Sequence, residues 1–165
     1  MVNTFLPYED FKRSAQALDN KRLGKQRVEA LQILKANLGE TKGWRNHPAA
    51  KMWRGHEYYL YYYLVSMCDE WEARGFKDTC RNQATDLILY HKTYVLNTNK
   101  RPWWLGVRDF HRAMRSNLKR KDPIHYDFPG PDDLPYLWPR ENKELTPTPT
   151  KKGKTNGNTG SSKKD

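Results

Sequence analysis

The stretch LDNKRLGKQRVEALQILKANL, residues 18–38, carries the clearest structural signal in the chain. Its apolar residues recur three and four positions apart, which predicts a helix with one apolar face. The pattern extends back to Pro7, which suits a first helical turn, and forward to Gly39, which suits a helix end. The apolar face consists of Phe11, Ala15, Leu18, Leu23, Ala30, Leu31, Leu34 and Leu38. Gly24 interrupts it and leaves room for a bend or for the close approach of another backbone. The spacing predicts one helical run over residues 8–38.

Further helices are predicted over residues 49–74, 81–94 and 105–119 from the same kind of spacing. Residues 122–140 are rich in Pro and aromatic side chains, which predicts an ordered loop packed on the helices. No alternating strand pattern of any length and no internal repeat occurs. The sequence therefore predicts an all-α protein with a single compact helical domain and long loops.

The composition changes at about residue 142. From there the sequence NKELTPTPTKKGKTNGNTGSSKKD has no aromatic residue and a single Leu, too little apolar surface to offset the entropy of ordering. We therefore predict a helical domain over residues 1–141 and a disordered basic tail over residues 142–165. The chain as a whole, 165 residues with 6 Trp, 10 Tyr and 5 Phe, has enough aromatic surface to build a core.

Several classes of protein are excluded by the apolar pattern. No stretch approaches the ~18 apolar residues of a membrane-spanning helix. The N-terminal sequence MVNTFLPYEDFKRSAQ reaches charged residues before an apolar run of signal-peptide length develops. We expect a cytoplasmic protein without membrane contact, in which Cys68 and Cys80 are reduced and partly buried.

The chain is strongly basic. Thirty Lys and Arg stand against 19 Asp and Glu, giving a net charge of +11 and a pI of about 9.6. Residues 143–165 hold six lysines against Glu144 and Asp165, so this stretch accounts for +4 and the rest of the chain for +7. This balance favours a polyanionic partner, and nucleic acid over a membrane, because no basic helix with a clean apolar face stands out.

A polar stripe follows the first predicted helix. Its members are three or four residues apart and share one face: Arg22, Lys25, Gln26 and Glu29. One interpretation is a solvated face with a weak ion pair between Lys25 and Glu29. The other is a carboxylate within an anion-binding surface, where the bases bind phosphate and the acid moves protons.

Two other segments concentrate cations and rings. The loop TKGWRNHPAAKMWRGHE, residues 41–57, interleaves Lys42, Trp44, Arg45, Asn46, His47, Lys51, Trp53, Arg54 and His56. It suits phosphate contact and base stacking, or else it is an ordinary loop whose two tryptophans fill the core. Between residues 101 and 121 lie Arg101, Arg108, Arg112, Arg115, Lys119, Arg120 and Lys121. Positions 108, 112 and 115 share a helical face, which is either a stripe that follows phosphates or a solvated surface.

Motifs for metal and nucleotide chemistry do not occur. His56 and Glu57 begin an H-E-x-x-H pattern, but residue 60 is Leu, which excludes a zinc protease helix. There is no phosphate-binding P-loop, dinucleotide-binding glycine set or G-x-S-x-G. No group of acidic, His and Cys residues has metal-ligand spacing, so we expect neither a metal nor a cofactor.

Four motifs in order carry a resemblance to a known family. They are LDNKRLGKQRVEAL at residues 18–31, TKGWRNHP at 41–48, Gly55-His56, and Arg74-Gly75-Phe76 followed by Asp78-Thr79. Together they resemble the phage endonuclease V family of pyrimidine-dimer DNA glycosylases and its bacterial relatives. The resemblance is collinear over about residues 18–80. Three features depart from the family. Val28 stands where the family has a basic residue before the catalytic Glu, and the N-terminal arm is longer. Tyr136-Leu137-Trp138 is only a loose counterpart of the family's aromatic C-terminal segment.

The resemblance implies an all-α DNA repair enzyme that binds damaged duplex DNA as a monomer, flips a nucleotide and cleaves its N-glycosidic bond. Many members then cut the strand by β-elimination, which is AP-lyase activity. The family's nucleophile is the α-amino group of the mature N-terminus, here Val2 once Met1 is removed, or Met1 if it is retained. The catalytic carboxylate corresponds to Glu29. The DNA contacts predicted on this basis are Arg22, Lys25, Gln26, Arg27, Arg45, Asn46, His47, Arg54 and His56.

Acid–base chemistry is compatible with an α-amino nucleophile. An α-amino group with a pKa near ~7.7–8.0 is about 10–20 % neutral at pH 7, whereas a lysine with a pKa near ~10.4 is below roughly 0.1 % neutral. Two alternatives remain open from the sequence. One is a DNA-binding module without turnover, and the other is a glycosylase for a different damaged or modified base.

Overall fold

The computed structural model describes residues 2–148. This part of the chain forms seven helices and one two-stranded sheet. The helices are α1 (Phe11–Ala17), α2 (Asn20–Asn37), α3 (Pro48–Trp53), α4 (Glu57–Ala73), α5 (Cys80–Tyr90), α6 (Lys92–Leu96) and α7 (Arg108–Lys121); the strands are β1 (Leu137–Pro139) and β2 (Leu145–Pro147). The prediction of a mostly helical single domain is confirmed. Within residues 2–148, every helix is too short or too polar to cross a membrane.

The run predicted as one helix over residues 8–38 is two helices, because an aspartate caps the start of each. Asp10 accepts a hydrogen bond from the backbone N–H of Arg13 at 2.7 Å, and Asp19 accepts one from the backbone N–H of Arg22 at 3.4 Å. A capping residue has extended rather than helical geometry, and Asp19 has φ −65° and ψ 159°. The apolar spacing alone did not reveal this interruption between α1 and α2.

The helices predicted over residues 49–74 and 81–94 are also divided. The first is broken between α3 and α4 at Gly55, whose φ of 81° lies in the left-handed region that glycine adopts without strain. The second is broken between α5 and α6 at His91, and the last helix begins at Arg108. The predicted elements exist, but each is shorter than its apolar pattern.

The core contains a cluster of aromatic side chains where α2 and α4 pack together. Trp53 is fully buried, and its ring meets Trp104 edge-on at 4.8 Å and Tyr63 at 5.8 Å between centroids. Trp44 is 39 % exposed, so only one of the two tryptophans in the loop over residues 41–57 fills the core.

An extended N-terminal segment, residues 2–7, runs through the interior, and each of its residues is buried. Side chains from α3 and α7 hydrogen-bond to it. Trp53 donates to the Thr4 hydroxyl at 2.9 Å, His111 to the Leu6 carbonyl at 2.9 Å and Arg115 to the Pro7 carbonyl at 2.8 Å. The position of the chain's first residues is therefore fixed by the fold.

His111 makes this arrangement sensitive to acid. Its Nδ1 donates to the Leu6 carbonyl and its Nε2 accepts from the Gly106 N–H at 2.9 Å, so the ring must be neutral. Burial lowers the pKa of His111. The unfolded chain then binds more protons than the folded one below about pH 6.5, and stability falls on acidification.

We expect the melting temperature to fall between pH 7 and pH 5, with a shallower slope for His111→Gln. A Gln32→Leu control, at an exposed position without a titratable group, should keep the wild-type slope; equal slopes in all three proteins would contradict this role.

The chain after α7 forms a hairpin that the sequence did not predict. Strands β1 and β2 pair antiparallel with Trp138 opposite Thr146. Trp138 is buried against the His47 ring at 5.8 Å, and its indole N–H donates to Thr148 at 2.9 Å. Because β2 falls within the stretch predicted as a disordered tail, residues 142–148 belong to the folded domain. The rest of that predicted tail lies outside the described residues.

Candidate active site

Glu29 lies beside the N-terminal segment. Its Oε2 accepts two hydrogen bonds, one from the backbone N–H of Asn3 at 3.2 Å and one from Gln26 Nε2 at 3.0 Å. No hydrogen bond reaches Oε1 from any of residues 2–148. One oxygen of this carboxylate is therefore held by the protein, and the other is free to meet a ligand.

The Gln26 side chain clamps the N-terminal segment to α2. It is 1 % exposed. Its Oε1 accepts from the Phe5 N–H at 2.7 Å and from the Tyr63 hydroxyl, while its Nε2 donates to the Asn3 carbonyl at 3.1 Å and to Glu29. A backbone N–H can only donate and a carbonyl can only accept, so these partners allow one orientation of the amide. Gln26 is thus fixed with its N–H directed at Glu29.

A cleft of about 220 Å³ opens above the carboxylate. This Glu29 cleft is lined by Asn3, Phe5, Lys21, Arg22, Lys25, Gln26, Glu29, Lys121 and Tyr136. Its lining has four cationic side chains and a single carboxylate. The cations come from α2 and from the end of α7, so they surround Glu29 on two sides. This arrangement suits a polyanion brought to one acid group.

The environment of Glu29 suits proton transfer. Burial raises the pKa of its carboxyl, while the hydrogen bond from the Asn3 N–H and the charge of Lys25 act in the opposite direction. A carboxyl group with a raised pKa exchanges protons closer to neutral pH than an exposed one.

Val2 immediately precedes the residue that binds Glu29. It is 2 % exposed, and its side chain belongs to the core. Consecutive residues are about 3.8 Å apart, so the Val2 nitrogen lies no more than about that distance from the Asn3 nitrogen, whose N–H donates to the carboxylate.

Arg27 does not face the Glu29 cleft, although it was predicted to bind DNA. It is 9 % exposed, pairs with Asp78 at 2.5 Å and lies 4.4 Å from the centroid of Trp71. Gly24 allows this packing: a Cβ there would come within 3.0 Å of the Trp71 ring. From the sequence, Gly24 was considered a place where another backbone could approach. In the structure the Trp71 side chain lies there instead. Arg27 therefore stabilises the packing of α2 against α4, and its predicted DNA contact stays a prediction.

The predicted contact residues on the loop do not join the Glu29 cleft. Asn46, Arg54 and His56 line a separate cleft of about 820 Å³ together with Trp103 and Arg140. Arg45 is exposed nearby, and its carbonyl accepts from the Arg54 guanidinium. The residues predicted as one DNA-binding set therefore lie on separate surfaces, some in the Glu29 cleft and others in or near this second cleft.

His47 has a structural position in the loop. Its Nδ1 accepts from the Ala49 N–H at 3.0 Å and caps α3. Its ring lies between those of Trp44 at 5.6 Å and Trp138 at 5.8 Å. Burial lowers the pKa of His47, which favours the neutral ring that the cap requires.

Four polar residues of the cleft lining were not among the predicted site residues: Asn3, Lys21, Tyr136 and Lys121. Lys21 is four residues before Lys25 on the same helix face, so helical spacing could have identified Lys21 as a site residue. The other three are far from Glu29 in sequence and reach it only through tertiary packing. Within residues 2–148, no group of three or more His, Cys, Asp or Glu side chains is placed to hold a metal ion.

Comparison with known proteins gives one match. A family model described as pyrimidine dimer DNA glycosylase matches residues 2–84, about half of the chain. The matched region contains the N-terminal segment and Glu29, whereas α7 and the hairpin lie after it. No curated protein and no solved structure matches the chain.

Proposed function

The chain belongs to the pyrimidine dimer DNA glycosylase family, in agreement with the resemblance to phage endonuclease V, and on this premise we propose that it excises a damaged pyrimidine from duplex DNA and then cuts the strand as an AP lyase. The observation that carries the proposal is the contact between the N-terminal segment and Glu29. Removal of Met1 would create an α-amine at Val2, one residue from the Asn3 N–H that donates to Glu29, and this supports the pairing of an amine with a carboxyl that the chemistry needs.

The proposed nucleophile is the α-amine of Val2 after removal of Met1. The neutral amine attacks C1′ of the flipped nucleotide, and the base leaves with the electron pair of the N-glycosidic bond and takes up a proton. The nitrogen then loses its protons as the sugar ring opens, which gives a Schiff base between the protein and C1′. Removal of a proton from C2′ expels the 3′ phosphate and cleaves the strand.

Glu29 is proposed to act through its free Oε1. Its negative charge stabilises the positive charge that develops on the sugar as the base departs, and the same oxygen can then move protons at the opened sugar. Lys21, Arg22, Lys25 and Lys121 would hold the phosphates around the flipped nucleotide. None of these steps calls for a metal ion or a cofactor, and we propose that a monomer performs them.

Borohydride trapping tests the proposal. The full chain is mixed with duplexes that contain an abasic site or a cyclobutane thymine dimer, and any imine is reduced in the presence of EDTA. We expect a covalent adduct on both duplexes, mapped by mass spectrometry to the N-terminal residue and abolished by prior N-terminal acetylation.

The other outcomes separate the alternatives. An adduct on the abasic duplex alone would keep the lyase chemistry and point to a different base. Tight DNA binding with no adduct on either duplex would overturn the Schiff-base mechanism and favour a binding module. Loss of the adduct only when EDTA is present would contradict metal independence.

A further inference from the structure

A second cationic cleft lies between α1 and the first half of α7, and shares no lining residue with the Glu29 cleft. It has a volume of about 750 Å³. Five cationic side chains line it: Lys12, Arg13, Arg101, Arg108 and Arg115. We call it the arginine cleft. The catalytic proposal does not use it, and its α7 residues lie beyond the region that the family model matches.

The carboxylates of this cleft are already engaged. Glu9 pairs with Arg101, and Asp10 caps α1 by accepting from the Arg13 N–H. Within residues 2–148, the side chains of Lys12 and Arg108 make neither an ion pair nor a hydrogen bond. The cleft thus contains more positive charge than its own acids neutralise.

Two of its guanidinium groups are held in place. Arg115 donates to the Pro7 carbonyl at 2.8 Å, and Arg13 stacks on the Tyr8 ring with its guanidinium carbon 3.8 Å from the centroid. Burial, with the positive charges of Arg108, Arg112 and Arg13, lowers the pKa of Arg115. Fixed guanidinium groups bind phosphates with little loss of side-chain entropy, since their forks match phosphate oxygens.

Helix α7 connects this cleft to the Glu29 cleft. Lys121 lines the Glu29 cleft, whereas Arg115 and Arg108 line the arginine cleft on the same helix. At about 1.5 Å and 100° per residue, they lie about 9 Å and 20 Å from Lys121 along the axis and roughly 120–140° away from it around the helix. That span corresponds to roughly three to six base pairs of B-DNA at about 3.4 Å each. The intervening cations Lys119 and Arg120 are directed instead at backbone carbonyls of the following loop.

We propose that the arginine cleft binds backbone phosphates of the same duplex, about three to six base pairs from the nucleotide at Glu29, so that the DNA passes around α7 from one cleft to the other. This inference rests on the proposed function for its ligand, but it concerns a separate surface. The protein would then contact the duplex beside the lesion through its phosphates, independently of the base sequence there.

The test uses Lys12→Gln/Arg108→Gln, since neither side chain has a partner to lose among the residues that the structure describes. The probe is a duplex with a central tetrahydrofuran abasic analogue and long flanks. It is compared with one that is truncated to two base pairs on a single side of the analogue, the side that the methylphosphonate substitution described below identifies. We expect the double variant to bind the long duplex roughly tenfold more weakly, with a salt dependence shallower by about two phosphate contacts. Both proteins should bind the truncated duplex equally. The matched control, Lys77→Gln/Lys92→Gln, removes two exposed charges outside both clefts and should bind as the wild type.

Neutral methylphosphonate linkages locate the contact. Placed three to six base pairs from the analogue, they should weaken the wild type and leave the double variant unchanged. Equal affinities for the wild type and the double variant, or equal losses on both duplexes, would overturn the proposal. Borohydride trapping on a truncated abasic duplex should be the same in both proteins. If the wild type loses affinity for duplexes with neutral flanks but forms no borohydride adduct, the proposal for the arginine cleft is supported and the lyase chemistry is refuted.

Discussion

Glu29→Gln is expected to slow base excision by about 10²–10⁴-fold while the protein stays folded and binds DNA. Gln keeps an oxygen that can accept from the Asn3 N–H and Gln26, the two bonds that hold Oε2 in the wild type. It carries no charge to stabilise the departing sugar and transfers no proton. A positioned acid or base contributes about 10²–10⁴-fold to a rate, so we expect excision to fall by about that factor. The measurement is single-turnover excision from a dimer-containing duplex, with affinity measured on the abasic analogue.

The control for Glu29→Gln is Asp86→Asn, which neutralises an exposed carboxylate that has no side-chain bond within residues 2–148. It should leave the rate unchanged. In the wild type the rate should also fall on acidification, first as the proposed α-amine is protonated and then as protonation at the raised pKa of Glu29 removes the charge. A Glu29→Gln protein that is folded and excises at the wild-type rate would remove Glu29 from the mechanism.

Gln26→Leu is expected to lower both stability and activity, because one side chain joins the N-terminal segment to the carboxylate. The substitution leaves the Phe5 N–H and the Asn3 carbonyl buried without partners, at about 1–3 kcal/mol each. For a domain of this size, that lowers the melting temperature by roughly 5–15 °C. Displacement of the amine from the carboxylate should slow excision by about 10–100-fold.

The pH profile separates positioning by Gln26 from a loss of stability alone. Gln26 donates to the charged form of Glu29, so its removal raises the pKa of that carboxyl and moves the acid limb of the rate to higher pH. Gln32→Leu, at an exposed position on the same helix, should change neither the melting temperature nor the profile. Tyr63→Phe removes only one bond to the amide and should give a smaller shift in the same direction. An unshifted acid limb in both Gln26→Leu and Tyr63→Phe would show that Gln26 is merely structural.

The helical class was predictable because apolar spacing is a local property. The breaks at Asp19 and Gly55 were not, since a cap or a left-handed residue depends on backbone geometry that the apolar pattern does not contain. The hairpin was missed for a similar reason: its strands have three residues each, too few to show alternation. The order and existence of helices could therefore be predicted from the sequence, but not their lengths.

The candidate site divides in the same way. Arg22, Lys25, Gln26 and Glu29 share a helix face, and the structure keeps them together around one cleft, although Gln26 points inward. Arg27 is adjacent in sequence but turns to Asp78, because one position along a helix rotates a side chain by about 100°. The resemblance suggested the roles that we propose for Val2 and Glu29, whereas the distance between the two residues could be seen only in the tertiary structure.

The buried N-terminal segment also has a consequence for how the chain is made. Leu6 and Pro7 take their hydrogen bonds from His111 and Arg115, 105 and 108 residues later. At synthesis rates of about 5–20 residues per second, the first residues wait roughly 5–20 s before those partners exist. For the amine that we propose, this delay is the interval in which an aminopeptidase can remove Met1 from an unfolded terminus. Maturation of the nucleophile would then precede burial of Val2, and an N-terminal fusion that escapes this trimming would yield a protein without its reactive amine.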